Sequence, residues 1–165
     1  MPMSAERYSV RVTKDDLIFS CGHFITYNVT ECERLHGHNY HVAVSVDGPL
    51  DANYYVFDFI ALKNRTKAIV DELDHHMLLA TRNPLIRVAE VGPGVRVTFG
   101  AKEWLFPRED CVLLPIENTT AEQLAAWMAR RLLAELKQLG YTPDRLAVEV
   151  EENIGQSATY EWRLK

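Results

Sequence analysis

CERLHGHNYHVAVSV, residues 32–46, carries both the pattern that decides the fold and the side chains that decide the chemistry. From His38 the even positions are His38, Tyr40, Val42, Val44 and Val46, and the odd ones are His41, Ala43, Ser45 and Asp47. Alternation of this period gives each face of a strand its own set of side chains, and valines suit a pleated, half-buried surface. The same parity puts His36 and His38 on one face and turns His41 away from them. Zinc favours tetrahedral nitrogen and sulfur ligands, so two imidazoles on one face offer two corners of a site. A third corner must come from elsewhere. His23 lies in an earlier extended stretch that antiparallel pairing can bring alongside.

Outward from this strand, RYSVRV (7–12) alternates as a strand, and LIFSCGHF (17–24) continues it after the Lys14-Asp15-Asp16 interruption. Gly48-Pro49 and Asp51-Ala52-Asn53 mark a turn, after which YYVF (54–57) is expected to return as a strand. Asp58 is placed to cap a helix over 59–73 with Phe59, Leu62, Ile69, Val70 and Leu73 as its apolar stripe. Thr120 with Gln123, and Thr119 with Glu122, have capping-box spacing ahead of a second helix. Leu124, Trp127, Met128, Leu132 and Leu136 line its inner face, and Gly140 ends it. RLAVEVEE (145–152) and ATYEWRLK (158–165) read as two closing strands. Between the helices, IRVAEV and VRVTFG flank Gly92-Pro93-Gly94 as a hairpin, and CVLLPI (111–116) reads as a further strand. The order predicts one α+β domain over 1–165, an antiparallel sheet with two helices on one face.

Bulk properties narrow the partners. The composition, 47% hydrophobic and 25% charged, is that of a globular chain rather than a disordered one. A net charge of −5 argues against a nucleic-acid partner, which demands a basic face. No run approaches the roughly 18 apolar residues of a membrane helix, and MPMSAERYSV lacks the apolar core of a secretory signal. The cysteines at 21, 32 and 111 are odd in number, which argues against a disulfide framework and for a reducing cytoplasm.

Cys32 separates two kinds of metal site. As a fourth ligand it closes the site, which then only stabilises the fold; standing off the metal, it leaves a corner open and is free to move protons or attack. A second constellation is LDHH (73–76), where Asp74 beside His75 is raw material for a carboxylate-oriented imidazole, or simply a solvated helix end. A third is Glu152, which shares its parity with Val148 and Val150 and so needs a hydrogen-bonding partner unless it reaches solvent. A ligand with an amidine-like N–H pair would suit it.

SCGHF (20–24), CERLHGHNYHV (32–42), VFDFIALK (56–63), LDHH (73–76), NTTAEQLAAW (118–127) and VEVEEN (148–153) occur in an order that resembles the 6-pyruvoyl-tetrahydropterin synthase family. Within it the likeness is to the bacterial 6-carboxytetrahydropterin synthase branch of the queuosine pathway, where the cysteine precedes His-Gly-His by the spacing of Cys32 to His36. In the pyruvoyl-forming animal enzymes that gap is longer. The resemblance implies the tunnelling fold, trimers that close their sheets into a barrel, and a homohexamer of two stacked trimers. It implies zinc on His23, His36 and His38, Cys32 as the catalytic cysteine, and Asp74 and His75 as its partners from a neighbouring subunit. It implies that Glu152 anchors the pterin ring of 7,8-dihydroneopterin triphosphate, with a contact from Thr120. The expected reaction cleaves the side chain, releasing acetaldehyde and triphosphate.

One departure stands out. Compact members pass almost directly from the LDHH segment to the NTTAEQ helix, whereas residues 84–117 intervene here. The plainer expectation is an extended sheet edge or an oligomer contact, the sharper one a lip over the active site. Alternatives to the carboxy product are the pyruvoyl product, a retro-aldol cleavage ranked lower because relatives with that activity often carry a glutamate at the position of Cys32 (Glu31 and Glu33 flank it here), and a non-enzymatic pterin-binding or scaffold protein with a closed zinc site.

Overall fold

The computed structural model describes residues 6–165; the start of the stretch read above for a secretory signal lies outside them. In chain order the elements are β1 (Tyr8–Val12), β2 (Ile18–His23), β3 (Thr26–Tyr27), β4 (Glu31–Cys32), β5 (His36–Gly48), α1 (Phe59–Leu73), β6 (His76–Ala80), β7 (Arg87–Val91), β8 (Gly94–Phe99), β9 (Lys102–Pro107), β10 (Cys111–Leu114), α2 (Ala121–Gln138), β11 (Arg145–Asn153) and β12 (Gln156–Arg163).

β5 is the spine. Its even positions Tyr40, Val42, Val44 and Val46 are all but inaccessible, as the alternation requires, while His41 is exposed. Val44 pairs with Val12 of β1 on one side and with Val148 of β11 on the other. β1 and β2 lie end to end along the same side of β5; residues 13–17 bulge out where β5 advances only through Val42 and Ala43. The Lys-Asp-Asp interruption is therefore a break in one edge rather than a change of sheet. β12 pairs antiparallel with β11, beginning at Gln156 and so slightly earlier than the expected 158.

The helices pack on one face of this sheet. Asp58 Oδ1 accepts the Ala61 N–H at 2.6 Å and starts α1; Thr120 Oγ1 accepts the Gln123 N–H and starts α2. Leu62, Ile69, Val70 and Leu73 of α1 meet Leu124, Met128, Leu132 and Leu136 of α2 in a single core with Val44, Leu146, Val148 and Val150. Phe59, expected in the α1 stripe, is exposed instead. Arg131 of α2 forks both guanidinium nitrogens onto the Glu72 carboxylate of α1, at 2.8 and 2.7 Å, tying the helices at their outer edge.

Two expectations change. The sheet is mixed rather than wholly antiparallel, because β6 runs parallel to β2 and β10 parallel to β6. Parallel neighbours need a long crossover, and between β6 and β10 residues 81–110 supply it. YYVF (54–57) is not a strand: Tyr54 has φ 65°, Val56 is buried, and the Phe57 ring packs 4.5 Å from that of Tyr141. The hairpin of residues 84–117 forms as expected, but β9 extends it to a separate three-stranded sheet, β7-β8-β9. Its Val95 and Val97 share a second core with Phe24, Cys32, Met77, Leu79 and Cys111. Among the described residues no helix is long and apolar enough to cross a membrane.

Replacing Asp58 by alanine strips the α1 cap and is expected to lower the unfolding free energy by about 1 kcal/mol. Leu124→Ala, in the shared core, is expected to cost about 2–5 kcal/mol. Urea denaturation at neutral pH measures both.

Candidate active site

The pairing of β2 with β5 sets His23 directly opposite His36, and His38 follows on the same face. The ring centroids of His23 lie 4.7 Å from those of His36 and 5.4 Å from those of His38, with 4.9 Å between the latter two. One nitrogen from each ring falls within 4.8 Å of the others. Only glycine fits between His36 and His38: a Cβ on Gly37 would stand 2.7 Å from the Cys21 carbonyl oxygen.

Hydrogen bonds aim the rings. His23 Nδ1 lies 3.0 Å from the Thr119 carbonyl, and His36 Nδ1 lies 2.8 Å from the Arg34 carbonyl, so each Nδ1–H donates to backbone and leaves Nε2 as the free lone pair. A carbonyl on the far nitrogen is the usual outer partner of a metal-bound imidazole, fixing tautomer and orientation. His38 Nε2 is buried with no hydrogen bond; Glu152 Oε1 stands 3.5 Å away, outside hydrogen-bonding geometry. A buried ring nitrogen without a partner is costly unless something fills the place. Burial pushes the His23 pKa down, keeping it in the neutral form a metal needs. The three residues thus fit a tetrahedral divalent cation and provide three corners.

Cys32 is not in this nitrogen set. It ends β4, paired with Thr26 of β3, and its side chain is buried in the second core. Burial pushes its thiol up, while the Lys102 ammonium pulls it down. The neighbouring Glu33 points the other way: its Oε2 lies 3.8 Å from His36 Nε2 and accepts the Ile25 N–H at 3.3 Å.

Glu152 sits where the β11–β12 register shifts between Glu151 and Asn153. Such a bulge re-aims a side chain, and here the carboxylate meets the imidazoles. Oε2 accepts the Tyr40 hydroxyl at 3.3 Å, and that hydroxyl is also 3.2 Å from His23 Nε2. Glu152 and Thr120 line one open cleft of about 360 Å³ with Ile25, Ala121 and Gln156. Thr120 therefore caps α2 and borders this cleft at once.

Asp74 and His75 do touch, Oδ2 to Nδ1 at 2.8 Å. Asp74 ends α1, and its Oδ1 accepts the Ser20 N–H at 2.8 Å. His75 takes a left-handed backbone, φ 59°, with its N–H on the Ser20 carbonyl, which holds its ring out in solvent. Within one chain, no hydrogen bond or ion pair among the described residues joins this pair to Cys32.

The sequence names Tyr40 only as a strand residue, Thr119 only as a helix-cap candidate and Glu33 only as a neighbour of Cys32, and places none of the three beside the imidazoles. Tyr40 had a usable signal, since it shares parity with His36 and His38; the other two depend on loop paths that periodicity does not encode.

The family described as 6-pyruvoyl tetrahydropterin synthase matches residues 11–163. A protein of Methanocaldococcus jannaschii, provisionally named 6-carboxy-5,6,7,8-tetrahydropterin synthase, is 36% identical over 146 residues, covering 87% of this chain and 89% of its own. The Aquifex aeolicus 6-carboxy-5,6,7,8-tetrahydropterin synthase is 30% identical over 143 residues, 85% of this chain and 82% of its own. Among solved structures, the Plasmodium vivax 6-pyruvoyltetrahydropterin synthase with a catalytic glutamate replaced by alanine superposes with a TM-score of 0.90 at 29% identity, covering 97% of this chain and all of that one.

The Ser20 N–H, and after it His75, hold the Asp74 carboxyl below its usual range. A depressed carboxylate stabilises the fold above its unfolded pKa and loses that contribution as pH falls through the folded one. Asp74→Asn is therefore expected to be less stable than the parent at neutral pH, with the gap closing below about pH 4. Denaturation midpoints across a pH series read this directly.

Proposed function

The chain belongs to the 6-pyruvoyl tetrahydropterin synthase family, and on that premise we propose that it is a zinc enzyme converting 7,8-dihydroneopterin triphosphate to 6-carboxy-5,6,7,8-tetrahydropterin, with release of acetaldehyde and triphosphate. The carrying observation is a three-imidazole set beside the Glu152 cleft, with Cys32 outside the set. Three protein ligands leave a position for substrate, as catalytic zinc sites do. The Cys32-to-His36 spacing favours the carboxy product over the pyruvoyl one.

His23, His36 and His38 would hold the zinc, which when bound supplies Lewis-acid polarisation of the substrate's side-chain hydroxyls. Glu152 accepts the N–H pair of the pterin ring, and the Tyr40 hydroxyl steadies its carboxylate. Fixing the ring fixes the distance of the reacting carbons from the base. Cys32 takes the proton as thiolate. Asp74 orients His75, and the exposed pair serves the Cys32 of a neighbouring chain. On this reading the active sites lie at subunit interfaces of a homohexamer, in a cytoplasmic enzyme of a queuosine-type pathway.

A second reading is favoured by Glu33. Its carboxylate approaches the imidazoles while burial opposes Cys32 ionisation. The Plasmodium vivax relative is described as having a catalytic glutamate. With Glu33 as base, retro-aldol cleavage to a hydroxymethyl pterin becomes the competing outcome. A third reading, a closed structural zinc site in a scaffold or pterin-binding protein, requires Cys32 to join the ligands.

Incubation of the purified protein with 7,8-dihydroneopterin triphosphate is expected to release acetaldehyde; a pyruvoyl product without acetaldehyde moves it to the sister activity. Cys32→Ala is expected to keep its zinc and lose about 10²–10⁴ in turnover. Glu33→Gln is expected to retain the carboxy product, and loss of a hydroxymethyl product in that variant identifies the second reading. Zinc-edge X-ray absorption is expected to show nitrogen near 2.0–2.1 Å; sulfur near 2.3 Å in the resting protein points to the closed site.

A further inference from the structure

The separate sheet β7-β8-β9 packs directly against the candidate site. Val95 and Val97 are fully buried in the same cluster as Cys32. The Trp104 ring stacks on Phe24 with centroids 4.6 Å apart, and Phe24 directly follows His23. Lys102, at the start of β9, reaches over the Phe99 ring and donates from Nζ to the Cys32 carbonyl at 3.5 Å. The ion pairs of this sheet, Arg96–Glu103 and Arg108–Glu90, do not include Lys102.

We infer that this sheet is a working wall of the active site, in which Lys102 positions the Cys32 segment through its carbonyl and brings a positive charge to that residue. The inference rests on the reading of Cys32 as the base. Lys102 acts through Cys32 and is a positioning residue. The other charged or titratable groups near Cys32 are Glu31, Glu33 and Arg34 on its own segment, Tyr27 on β3 and the Cys111 thiol. Met77, Val95 and Val97 complete the surroundings and are apolar. The Lys102 ammonium thus opposes burial and the Glu33 carboxylate at this thiol.

The test is a charge series at an exposed position: Lys102→Arg, Lys102→Met and Lys102→Glu in the zinc-loaded full-length protein. The readouts are iodoacetamide alkylation of Cys32 against pH, followed by peptide mass spectrometry, then kcat, KM and zinc content. Lys102→Met is expected to move the alkylation midpoint upward and slow the reaction about three- to tenfold at a fixed mildly alkaline pH. Lys102→Glu should move it further, and Lys102→Arg should restore the parent profile. kcat should follow alkylation, with KM and zinc unchanged. An alkylation profile that ignores the charge at 102, or a fall in zinc content that accounts for the loss, overturns the inference. Alkylation needs no turnover, so it fails or succeeds independently of the catalytic reading, which falls instead if Cys32→Ala stays active.

Discussion

The site depends on one strand register. β2 and β5 pair so that His23 faces His36 and Cys21 faces His38. A one-residue slip would turn every side chain of one strand to the opposite face and scatter the three imidazoles. Two features pin the register. Buried Phe19 stacks on Tyr40 at 4.9 Å directly across the pair. Gly37 admits the Cys21 carbonyl, which any larger residue would push away. The geometry of the imidazole set is therefore inherited from packing of the core. Strands hold such groups more rigidly than loops can, and the loop residues Cys32 and Glu33 are added around a frame already fixed.

Around that frame the buried polar groups are mostly satisfied. His23 and His36 spend their Nδ1 hydrogens on backbone carbonyls, and Tyr40 bridges toward Glu152. Burial pushes the Tyr40 hydroxyl up, so it remains a donor. It also pushes the Cys21 thiol up to about 12, with the charges of Glu152 and Asp74 adding to the effect. Cys21 is inert by environment, although it lies across the strand pair from a metal-ligand candidate. Proximity alone does not make a thiol reactive; surroundings do.

The legible parts share a physical character. Parity along 38–46 placed β5, grouped His36 with His38 and sent His41 outward, because period-2 alternation is a local property. The caps at Asp58 and Thr120 were readable for the same reason. The less legible parts depend on distant partners. β6 is a short apolar run, MLLA, which does not reveal whether it will be helix or strand, and its parallel partners lie far away in sequence. YYVF looks like a strand by composition, but Tyr54 adopts a left-handed turn and Phe57 turns to Tyr141. In the site, His23 was found by topology, whereas Glu33 was weighed only as a neighbour of Cys32. Its approach to His36 is set by the path of the 28–35 loop.

The two cores have a consequence for how the molecule responds to heat. The main sheet and helices share one core, whereas the strands of β7-β8-β9 pair only with one another and join the rest mainly along an apolar seam. Small units attached by a single seam open at lower free energy than the body that carries them. The Cys32 loop lies in that seam, while the histidines belong to the larger unit. On warming, the site is therefore expected to come apart in order: the Cys32 thiol leaves its pocket while the imidazole frame is still intact, so a partly heated protein keeps the three rings together after the thiol has lost its place.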